Sequence, residues 1–452
     1  MEDIKISKEK LVKIRDIIIF GLLFFWMIMP IIQCLKPIYT MVKLNKMYFG
    51  LMKTIGVVGI GLSTITIFNR IKNSESKKSA IKDLLPIFIF VLYMIWTLIA
   101  CFNSRYPRTA FYGNVYRQEG YYMYINYAGY FLCAFLLKNE KLRKILLNTF
   151  IISALFLVII SKVTLSGEIL KNIFINTDAE TTIFAHFNHY GYYLMMTSIC
   201  SLGLFITEKN KICKILYLIA FTIISYALIY NDTFGCFLAV SVILIAYAIY
   251  SLIKKQDRKW IFSAITIFVI ISCFITKDGE NLAYNNVKKF AKDVNIVICK
   301  ITGTELKNEE GETIEGEELE KEFKKVGTQR MTLWKYGIQF MLEKPLLGYG
   351  PDNLRPLYED VGAKQDRPHN LLIQLATTSG IPAMLLYVVA VGIIVIKGII
   401  KLFKDEKGKI VLLIVTTYLI SAMFGNSMYY TSPYFFIALG SLMNSNSQKK
   451  EE

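Results

Sequence analysis

Long apolar runs recur along this chain, and shorter segments between them carry most of the charge. A helix needs about 20 apolar residues to cross the hydrocarbon core of a bilayer. The pattern predicts about twelve such spans, near residues 17–35, 54–69, 84–102, 121–137, 145–161, 183–206, 215–229, 234–251, 260–276, 371–396, 410–424 and 433–444. We therefore expect an all-α integral membrane protein.

One polar segment, 277–370, is much longer than the others and divides the chain into three predicted domains. Residues 1–276 hold the first nine spans, and residues 371–452 hold the last three spans and a tail. The middle of the long segment, 305–323, is acidic and punctuated by glycine. That composition is typical of a solvated or mobile excursion.

A later part of the long segment, 328–345, has apolar residues close to helical spacing. It predicts an amphipathic helix lying at the membrane surface, with Thr328 as its N-cap and Pro345 at its end. A glycine-containing turn follows at 346–353, and the tenth span is expected to break near Gly380.

Composition and charge support the membrane assignment. Of 452 residues, 54% are hydrophobic and only 19% are charged, which is too apolar for an ordinary soluble protein of this size. The basic residues behind the net charge of +17 are distributed as the positive-inside rule predicts, so the charge does not indicate a nucleic-acid surface. With the N-terminus inside, the inner segments hold about 28 Lys and Arg and the short outer loops about 9. Both termini are predicted to be cytoplasmic, and nucleic acid is not an expected partner.

This orientation gathers unusual polar residues at the outer ends of the spans. They are the three histidines, His186, His189 and His369, and the arginines Arg117, Arg330 and Arg367. Ionisable groups at membrane depth are costly and mark candidate functional sites. Alternation of the spans also puts every second loop on this side. Arg330, or Arg117 with Glu119 as its partner, could therefore be a simple interfacial anchor.

His369 is predicted to lie in, or just before, the first turn of the tenth span. The helix dipole and neighbouring Arg367 disfavour imidazolium there, so a neutral imidazole could serve as a general base. Free helix N–H groups and a guanidinium would also suit a phosphate or diphosphate. The alternative is that His369 and Asn370 only cap the helix.

His186, Asn188 and His189 could be metal ligands or donors to sugar hydroxyls. No clustered carboxylates accompany them, so no metal is predicted. The outer loops have no D-x-D motif and the chain has no G-x-x-x-x-G-K-[ST] motif, so no cofactor is expected. The eight cysteines form no C-x-x-C pair and are predicted to be free.

Several stretches resemble the O-antigen ligase / O-antigen polymerase (Wzy) superfamily. Residues 330–350 read R-M-T-L-W-K-Y-G-I-Q-F-M-L-E-K-P-L-L-G-Y-G, and residues 369–382 read H-N-L-L-I-Q-L-A-T-T-S-G-I-P. They are similar to that family's Arg, Trp, P-l-l-G-x-G and H-N-x-x-L-q pattern. R-Q-E-G at 117–120 is similar to its early R-x-x-G loop. F-A-H-F-N-H-Y-G-Y-Y-L at 184–194 is similar to its f-x-N-x-N-x-x-a-x-y-L step.

The resemblance implies a GT-C-like, metal-independent glycosyltransferase of the bacterial cytoplasmic membrane. Such enzymes take glycan from an undecaprenyl-diphosphate-linked donor on the outer face and pass it to an acceptor hydroxyl, in surface polysaccharide biosynthesis. His369 would be the catalytic base or the acceptor-orienting residue, and Arg117, Arg330 and Arg367 would bind the diphosphate. The glycan or the acceptor would contact His186, Asn188, His189, Asn370 and Trp334.

The chain departs from the family pattern in one place. Many members have S-R-g/s at the outer start of the eighth span, where this sequence reads N-D-T-F-G (231–235) without an arginine. The diphosphate clamp is therefore either incomplete or completed by Arg367. Asn231 and Asp232 are read as a turn.

Other readings remain open. One is a membrane sensor or assembly protein without chemistry, which the charged and specific segment 328–370 disfavours. A transporter or flippase for a lipid-linked sugar or small solute would suit the span count, although transporters place charges or broken helices at the membrane midplane. Polymerase and ligase cannot be separated by motif. Usage rich in Lys, Ile and Asn is typical of an AT-rich genome and favours a Gram-positive source without a lipopolysaccharide core, and hence a polymerase. A flippase and a chain-length regulator would be its expected protein partners.

Overall fold

The computed structural model describes residues 8–36, 44–74, 76–115, 117–162, 172–175, 180–184, 186–307, 312–405 and 408–447. Most of this part is helical. The tail after residue 447 and residues 308–311 of the acidic segment lie outside the described residues.

The described part of the chain forms eighteen helices. In chain order they are α1 (Lys8–Cys34), α2 (Leu44–Lys72), α3 (Lys77–Phe102), α4 (Pro107–Tyr112), α5 (Tyr121–Leu136), α6 (Glu140–Lys162), α7 (Phe187–Thr207), α8 (Lys211–Tyr230), α9 (Phe234–Lys254), α10 (Arg258–Phe274), α11 (Leu282–Thr302), α12 (Gly316–Lys325), α13 (Arg330–Glu343), α14 (Arg355–Asp360), α15 (Leu371–Ser379), α16 (Ile381–Asp405), α17 (Lys409–Ala422) and α18 (Ser432–Ser447).

Each of the twelve predicted spans coincides with a helix or, for the tenth, with the pair α15 and α16. Eight helices in the described ranges are long and apolar enough to cross a membrane, namely α1, α2, α3, α6, α7, α8, α9 and α16, and α17 is apolar but shorter. The protein is therefore a helical, multi-pass membrane protein. The number twelve and the orientation remain predictions.

The tenth span breaks where the sequence predicted. Gly380 lies between α15 and α16 with φ +88°. A Cβ at this position would collide with the carbonyl group of Leu346. Glycine is thus required both for the backbone conformation and for the close approach of the 346–350 turn. Gly348 and Gly350 in that turn also have positive φ, and the N–H groups of Tyr349 and Gly350 donate to the carbonyls of Thr377 and Thr378.

Helix α7 lies at the centre of the bundle. Of its most apolar 18-residue stretch, 94% is buried inside the protein, compared with 28–50% for the other seven candidate spans. Helix α5 is also buried along most of its length and packs against α2 and α18. The other candidate spans leave large apolar side chains on the outer surface, where a bilayer would solvate them. The polar groups at the start of α7 therefore lie near the bundle axis.

Two antiparallel hairpins interrupt the helices between α10 and α12. β1 (Thr276–Lys277) pairs with β2 (Glu280–Asn281), and β3 (Leu306–Lys307) pairs with β4 (Thr313–Ile314). The second hairpin and α12 contain most of the acidic segment 305–323. The sequence predicts a solvated or mobile excursion for this segment. No residue of α12 is fully buried, but Leu306, Leu319 and Phe323 pack near Ile296 and Cys299 of α11, so part of the segment is anchored.

The predicted helix at 328–345 is observed as α13, but its start differs from the prediction. Gln329 occupies the N-cap position without a side-chain hydrogen bond, and Thr328 has φ +57°. The Thr328 hydroxyl instead accepts a hydrogen bond from Arg330. Helix α13 buries Leu333, Gly337 and Phe340. Its inner face packs against α15.

All eight cysteines are free, and most are buried, as predicted.

Helices α2 and α5 approach through glycine, which supplies a stability prediction with a matched control. A Cβ at Gly59 would overlap the carbonyl of Gly129 on α5, whereas a Cβ at Gly61 would meet nothing within 4 Å. Gly59→Ala should lower the free energy of unfolding by about 1–3 kcal/mol through overpacking. Gly61→Ala should be neutral or slightly stabilising because alanine favours helix. Thermal unfolding of both purified variants in detergent measures the difference. Equal midpoints would contradict the close packing of α2 on α5.

Candidate functional site

A cavity of about 700 Å³ opens at the end of the bundle where the long polar segment meets the starts of α7 and α15. We call this end of the bundle the site end. Seven of the nine residues singled out in the sequence line this cavity: Arg117, His186, Asn188, His189, Arg330, Arg367 and His369. Asn370 and Trp334 lie beside the cavity but do not line it. Residues separated by more than 250 positions in the chain thus share one chamber.

His369 lies immediately before the N-cap of α15 with φ +53°. This left-handed conformation is uncommon for a residue with a side chain, costs of order 1–3 kcal/mol, and tends to occur at functional sites. The Nδ1 atom of its ring is 3.2 Å from the amide Nδ2 of Asn426. Burial, reinforced by the charge of Arg330, lowers the pKa of His369 to about 4. The imidazole is therefore neutral at pH 7.

Asn370 is the N-cap of α15. Its Oδ1 accepts from the backbone N–H groups of Leu372 at 3.0 Å and Ile373 at 3.1 Å, and its Nδ2 donates to the carbonyl of Met423 at 3.1 Å. Capping therefore uses both the oxygen and the nitrogen of the amide and occupies two of the helix N–H groups. The anion site that the sequence suggested at the start of α15 would therefore have fewer free N–H groups than an uncapped helix offers.

The guanidinium of Arg330 is held by neutral oxygens. Nε donates to the carbonyl of Phe424 at 3.0 Å, and Nη1 donates to the carbonyl of Gly327 at 3.0 Å and to the hydroxyl of Thr328 at 2.9 Å. Within the described ranges, no carboxylate forms an ion pair with it. Burial lowers the pKa of Arg330, but an arginine stays protonated at any working pH. Its positive charge is thus available to a ligand.

Arg117 is already paired. Its Nε and Nη2 donate to the two carboxylate oxygens of Asp366 at 2.9 and 3.0 Å, and the two side chains are 32% and 18% exposed. The prediction that Glu119 is the partner of Arg117 is wrong, because Glu119 lies in a different, buried hydrogen-bond network. Burial opposes ionisation of Asp366, but the charges of Arg367 and Arg117 outweigh it and hold the pKa of that carboxyl below its usual value.

Arg367 forms the most buried ion pair of the site. Its Nη2 donates to Oδ1 of Asp352 at 2.6 Å, and these side chains are only 3% and 4% exposed. The other oxygen of Asp352 accepts from the backbone N–H groups of Asn114 at 2.6 Å and Glu119 at 3.2 Å. Asp366 lies 3.7 Å from Nε of Arg367. The arginine is therefore balanced by carboxylates, and the pair ties the distant 114–119 loop to two segments of the long polar region.

Glu119 is a functional candidate that the sequence reading placed only as a partner of Arg117. It is 1% exposed; one carboxylate oxygen accepts from the hydroxyl of Tyr127 at 2.6 Å and the other from Ser427 at 3.2 Å. Burial raises the pKa of Glu119 to about 7, against the opposing effect of Arg367. Its contacts hold the 425–430 loop, which carries Asn426.

The start of α7 contributes a second group of polar rings. His186 is the N-cap, and its Nδ1 accepts from the backbone N–H of Asn188 at 3.1 Å, which leaves the other ring nitrogen to donate into the cavity. The rings of His186 and His189 are 5.6 Å apart, and that of His189 is 5.9 Å from Tyr430. Tyr429 and Tyr430 also line the cavity. This wall offers hydroxyl and imidazole donors together with aromatic faces.

Trp334 lies outside the lining of the cavity and packs against Phe424, which lines it. Its ring lies 6.3 Å from that of Phe424, whose carbonyl accepts from Arg330. Among the described residues, the indole N–H is buried without a hydrogen-bond partner. The contact places Trp334 where it helps to hold the loop that binds Arg330.

The 231–235 segment, which lacks the family arginine, also lines the cavity through Thr233 and Gly235. A Cβ at Gly235 would lie 3.3 Å from Cβ of Phe424, so this wall adjoins the residue that holds Arg330. Asn231 is used structurally, because its amide donates to the carbonyls of Glu180 at 2.7 Å and Phe187 at 3.1 Å. Arg330 is thus linked to this segment through Phe424, whose carbonyl it binds.

Three further polar residues of the site were not singled out from the sequence. Asp352 and Asp366 are adjacent to quoted motifs, in the G-Y-G-P-D turn and in D-R-P-H-N, and Asn426 lies in the loop before α18. The acidic residues that lie close to basic residues in 350–370 could have indicated ion pairs at this site. No group of three or more His, Cys, Asp or Glu side chains suited to a metal ion occurs in the part of the chain that the structure describes.

Comparison with known proteins matches one family to part of the chain. Residues 219–388 match the family Wzy_C, described as O-antigen ligase. The match confirms the resemblance seen in the sequence, and it includes Arg330, Arg367 and His369. No protein of curated function matches the chain.

The buried pair predicts that Arg367 is needed for stability more than the half-exposed Arg117. Arg367→Ala leaves the buried Asp352 without its counter-charge, which should cost about 3–5 kcal/mol. Arg117→Ala should cost about 0–1 kcal/mol because its pair is partly exposed to solvent. Unfolding midpoints in detergent compare the two, with Arg367→Lys as a variant that keeps the charge. Similar small shifts for both alanine variants would contradict the structural role of Arg367.

Proposed function

Because residues 219–388 carry the O-antigen ligase family domain, we propose that the protein is a glycosyltransferase that uses a lipid-linked donor. In this proposal it transfers glycan from undecaprenyl diphosphate to an acceptor hydroxyl, on the outer face of the bacterial cytoplasmic membrane. The observation that carries the proposal is the shared cavity of His369 and Arg330, which joins a neutral base to an uncompensated cation.

The diphosphate is assigned mainly to Arg330. Negative charge develops on the diphosphate as the glycosidic bond to phosphate breaks, and a fixed cation stabilises that charge most where water is excluded. Arg330 lines the cavity, and neutral oxygens hold it through Nε and Nη1, so that its charge is not cancelled and a phosphate can approach its remaining nitrogen, Nη2. Arg117 can bind the diphosphate only while its guanidinium also stays bound to Asp366. Arg367 is assigned to positioning because its charge is balanced by Asp352 and Asp366.

His369 is assigned as the base that takes the proton of the acceptor hydroxyl. The hydroxyl oxygen attacks the sugar carbon, the bond to phosphate breaks, and the diphosphate leaves with the electron pair. Only a neutral imidazole can accept this proton, and burial beside Arg330 lowers the pKa of His369 so that its ring is neutral.

Asn426 is assigned to set the tautomer of His369. An amide oxygen facing Nδ1 would accept the Nδ1–H and leave Nε2 free to take a proton, and the Oδ1 of Asn426 has no other partner among the described residues. The amide orientation with Nδ2 toward the ring fixes the opposite tautomer. Transfer would therefore use the first orientation, obtained by a half-turn of the amide.

The acceptor or glycan is assigned to the wall formed by His186, Asn188, His189 and the two tyrosines of the 425–430 loop. Imidazole and amide groups can bind sugar hydroxyls, and aromatic faces can stack on sugar rings. Among members of such a family the acceptor alone decides between polymerase and ligase. The composition of the chain favours a polysaccharide polymerase acting beside a flippase and a chain-length regulator.

The proposal predicts separate effects for the base and the cation in a reconstituted transfer assay. The assay would use undecaprenyl-diphosphate-linked repeat units extracted from the source organism and the purified protein in liposomes. His369→Ala should lower transfer by about 10²–10⁴-fold while donor binding persists. Arg330→Ala should weaken both donor binding and transfer, and Arg330→Lys should restore part of each.

Lys335→Ala is the matched control, since Lys335 is exposed on the same helix as Arg330. It should behave as the wild type. A fully active His369→Ala enzyme would eliminate the proposed base. A wild-type protein that moves the donor across the bilayer without forming a longer glycan would eliminate the transferase.

The pKa of His369 predicts an unusual pH profile. A lowered pKa keeps the imidazole neutral as pH falls, so the transfer rate should stay level from pH 7.5 to about 5 and decline only near pH 4. Arg330→Gln removes one of the causes of the shift and should move the decline to higher pH. Rates of the purified enzyme across this range provide the measurement. A decline centred on pH 6.5 in the wild type would show that His369 is not held in this environment.

A further inference from the structure

Helix α11 carries a row of large apolar side chains that stay exposed in the described structure. Their exposure ranges from 38% for Val294 to 78% for Ile301. The row consists of Tyr284, Val287, Phe290, Val294, Ile298 and Ile301. At 3.6 residues per turn, these six positions fall within an arc of about 120° that runs the length of the helix, about 30 Å. We call this row the α11 stripe.

A different face of α11 holds the neighbouring parts of the long segment. Ile296 and Cys299 are buried against β3, α12 and Val326. Lys292 pairs with Glu322 of α12 at 3.3 Å. The charged residues of α11 thus lie on this side, around the buried Ile296 and Cys299, and the stripe lies on the other. The arrangement is that of an amphipathic helix whose polar face is already docked and whose apolar face is left outside.

The start of α11 is fixed to the end of α10. Asn281 caps it, with Oδ1 accepting from the N–H of Tyr284 at 2.8 Å, and the same side chain donates to the carbonyls of Ser272 at 3.0 Å and Cys273 at 2.9 Å. The last residue of α10, Phe274, is 80% exposed. Apolar surface therefore continues from the outer side of α10 onto the α11 stripe.

A second attachment joins α11 to the first residue of a candidate span. The ring of Phe290 lies 5.5 Å from that of Phe234, with which α9 begins. One turn earlier, the amide of Asn286 donates to Asp232 at 2.8 Å. These contacts set α11 at the level at which the spans end, instead of projecting it away from the bundle.

From this position we propose that α11 lies in the bilayer interface at the site end, with its stripe inserted at the boundary of headgroups and acyl chains. Membrane lipid is the occupant that continues the surface of α9 and α10. Six large apolar side chains on one arc, with charges on the opposite side, are what an interfacial helix requires. This placement is independent of the chemistry proposed above.

The placement links the membrane surface to the site. Asp293, on the polar side of α11, accepts a hydrogen bond from the N–H of Gly327 at 2.9 Å. The carbonyl of Gly327 accepts in turn from the guanidinium of Arg330 at 3.0 Å. A helix seated in the leaflet would thereby fix the height of Arg330 above the acyl chains. This consequence, unlike the placement of α11, rests on the proposed function, in which Arg330 meets the headgroup of a lipid substrate.

The test is a spin-label depth measurement on the full-length protein in phospholipid vesicles. The parent would carry Cys213→Ser and Cys273→Ser, because these are the two cysteines not buried. Single cysteines would replace Val287, Val294 and Ile298 on the stripe. Lys289, exposed on the opposite side of the same helix, would be the control position. Collision rates of each label with oxygen, which concentrates in lipid, and with a water-soluble nickel complex report its environment.

Labels on the stripe should collide several-fold more with oxygen than with nickel, and the label at position 289 should show the reverse. Two results would overturn the proposal. Stripe labels as open to nickel as the control would place the helix in water. Stripe labels shielded from both reagents would mean that a protein surface, not lipid, covers them.

Discussion

The buried ion pair between Arg367 and Asp352 is the interaction on which the site depends. Asp352 also receives the backbone N–H groups of Asn114 and Glu119, so one carboxylate joins the turn after α13, the loop before α5 and the segment before α15. A charge pair with 3% and 4% exposure is stable only when both partners are present. Once it forms, His369 two residues later has little freedom, and its backbone is held in the left-handed region.

The partners of the three arginines in the cavity explain how these residues can differ in role. Carboxylates neutralise Arg367 and half-exposed Arg117, whereas carbonyl and hydroxyl oxygens position Arg330 without cancelling its charge. The cavity is therefore polarised: a cation beside a neutral imidazole on one wall, and imidazole, amide and tyrosine groups on the other. Such a division suits a donor with a negative leaving group and an acceptor that offers only hydroxyls.

The sequence predicted the fold well where hydrophobic periodicity and glycine determine it. All twelve predicted spans coincide with helices or a helix pair, and the break at Gly380 follows from a backbone that only glycine can adopt there. Seven residues chosen by motif and topology meet in one cavity. The partners were less predictable: Arg117 pairs with Asp366 instead of nearby Glu119, because pairing is decided by the packing of distant loops. The amphipathic pattern of α11 is present in the sequence but was not singled out, and the tertiary contacts add which of its faces is covered.

The most direct test of the account is a cryo-EM structure of the protein in lipid nanodiscs with an undecaprenyl-diphosphate-linked glycan bound. The account predicts phosphate oxygens at hydrogen-bond distance, about 3 Å, from the guanidinium of Arg330, with the first sugar facing His369. A diphosphate bound outside this cavity, or one held there by other groups with Arg330 and His369 turned away, would contradict it.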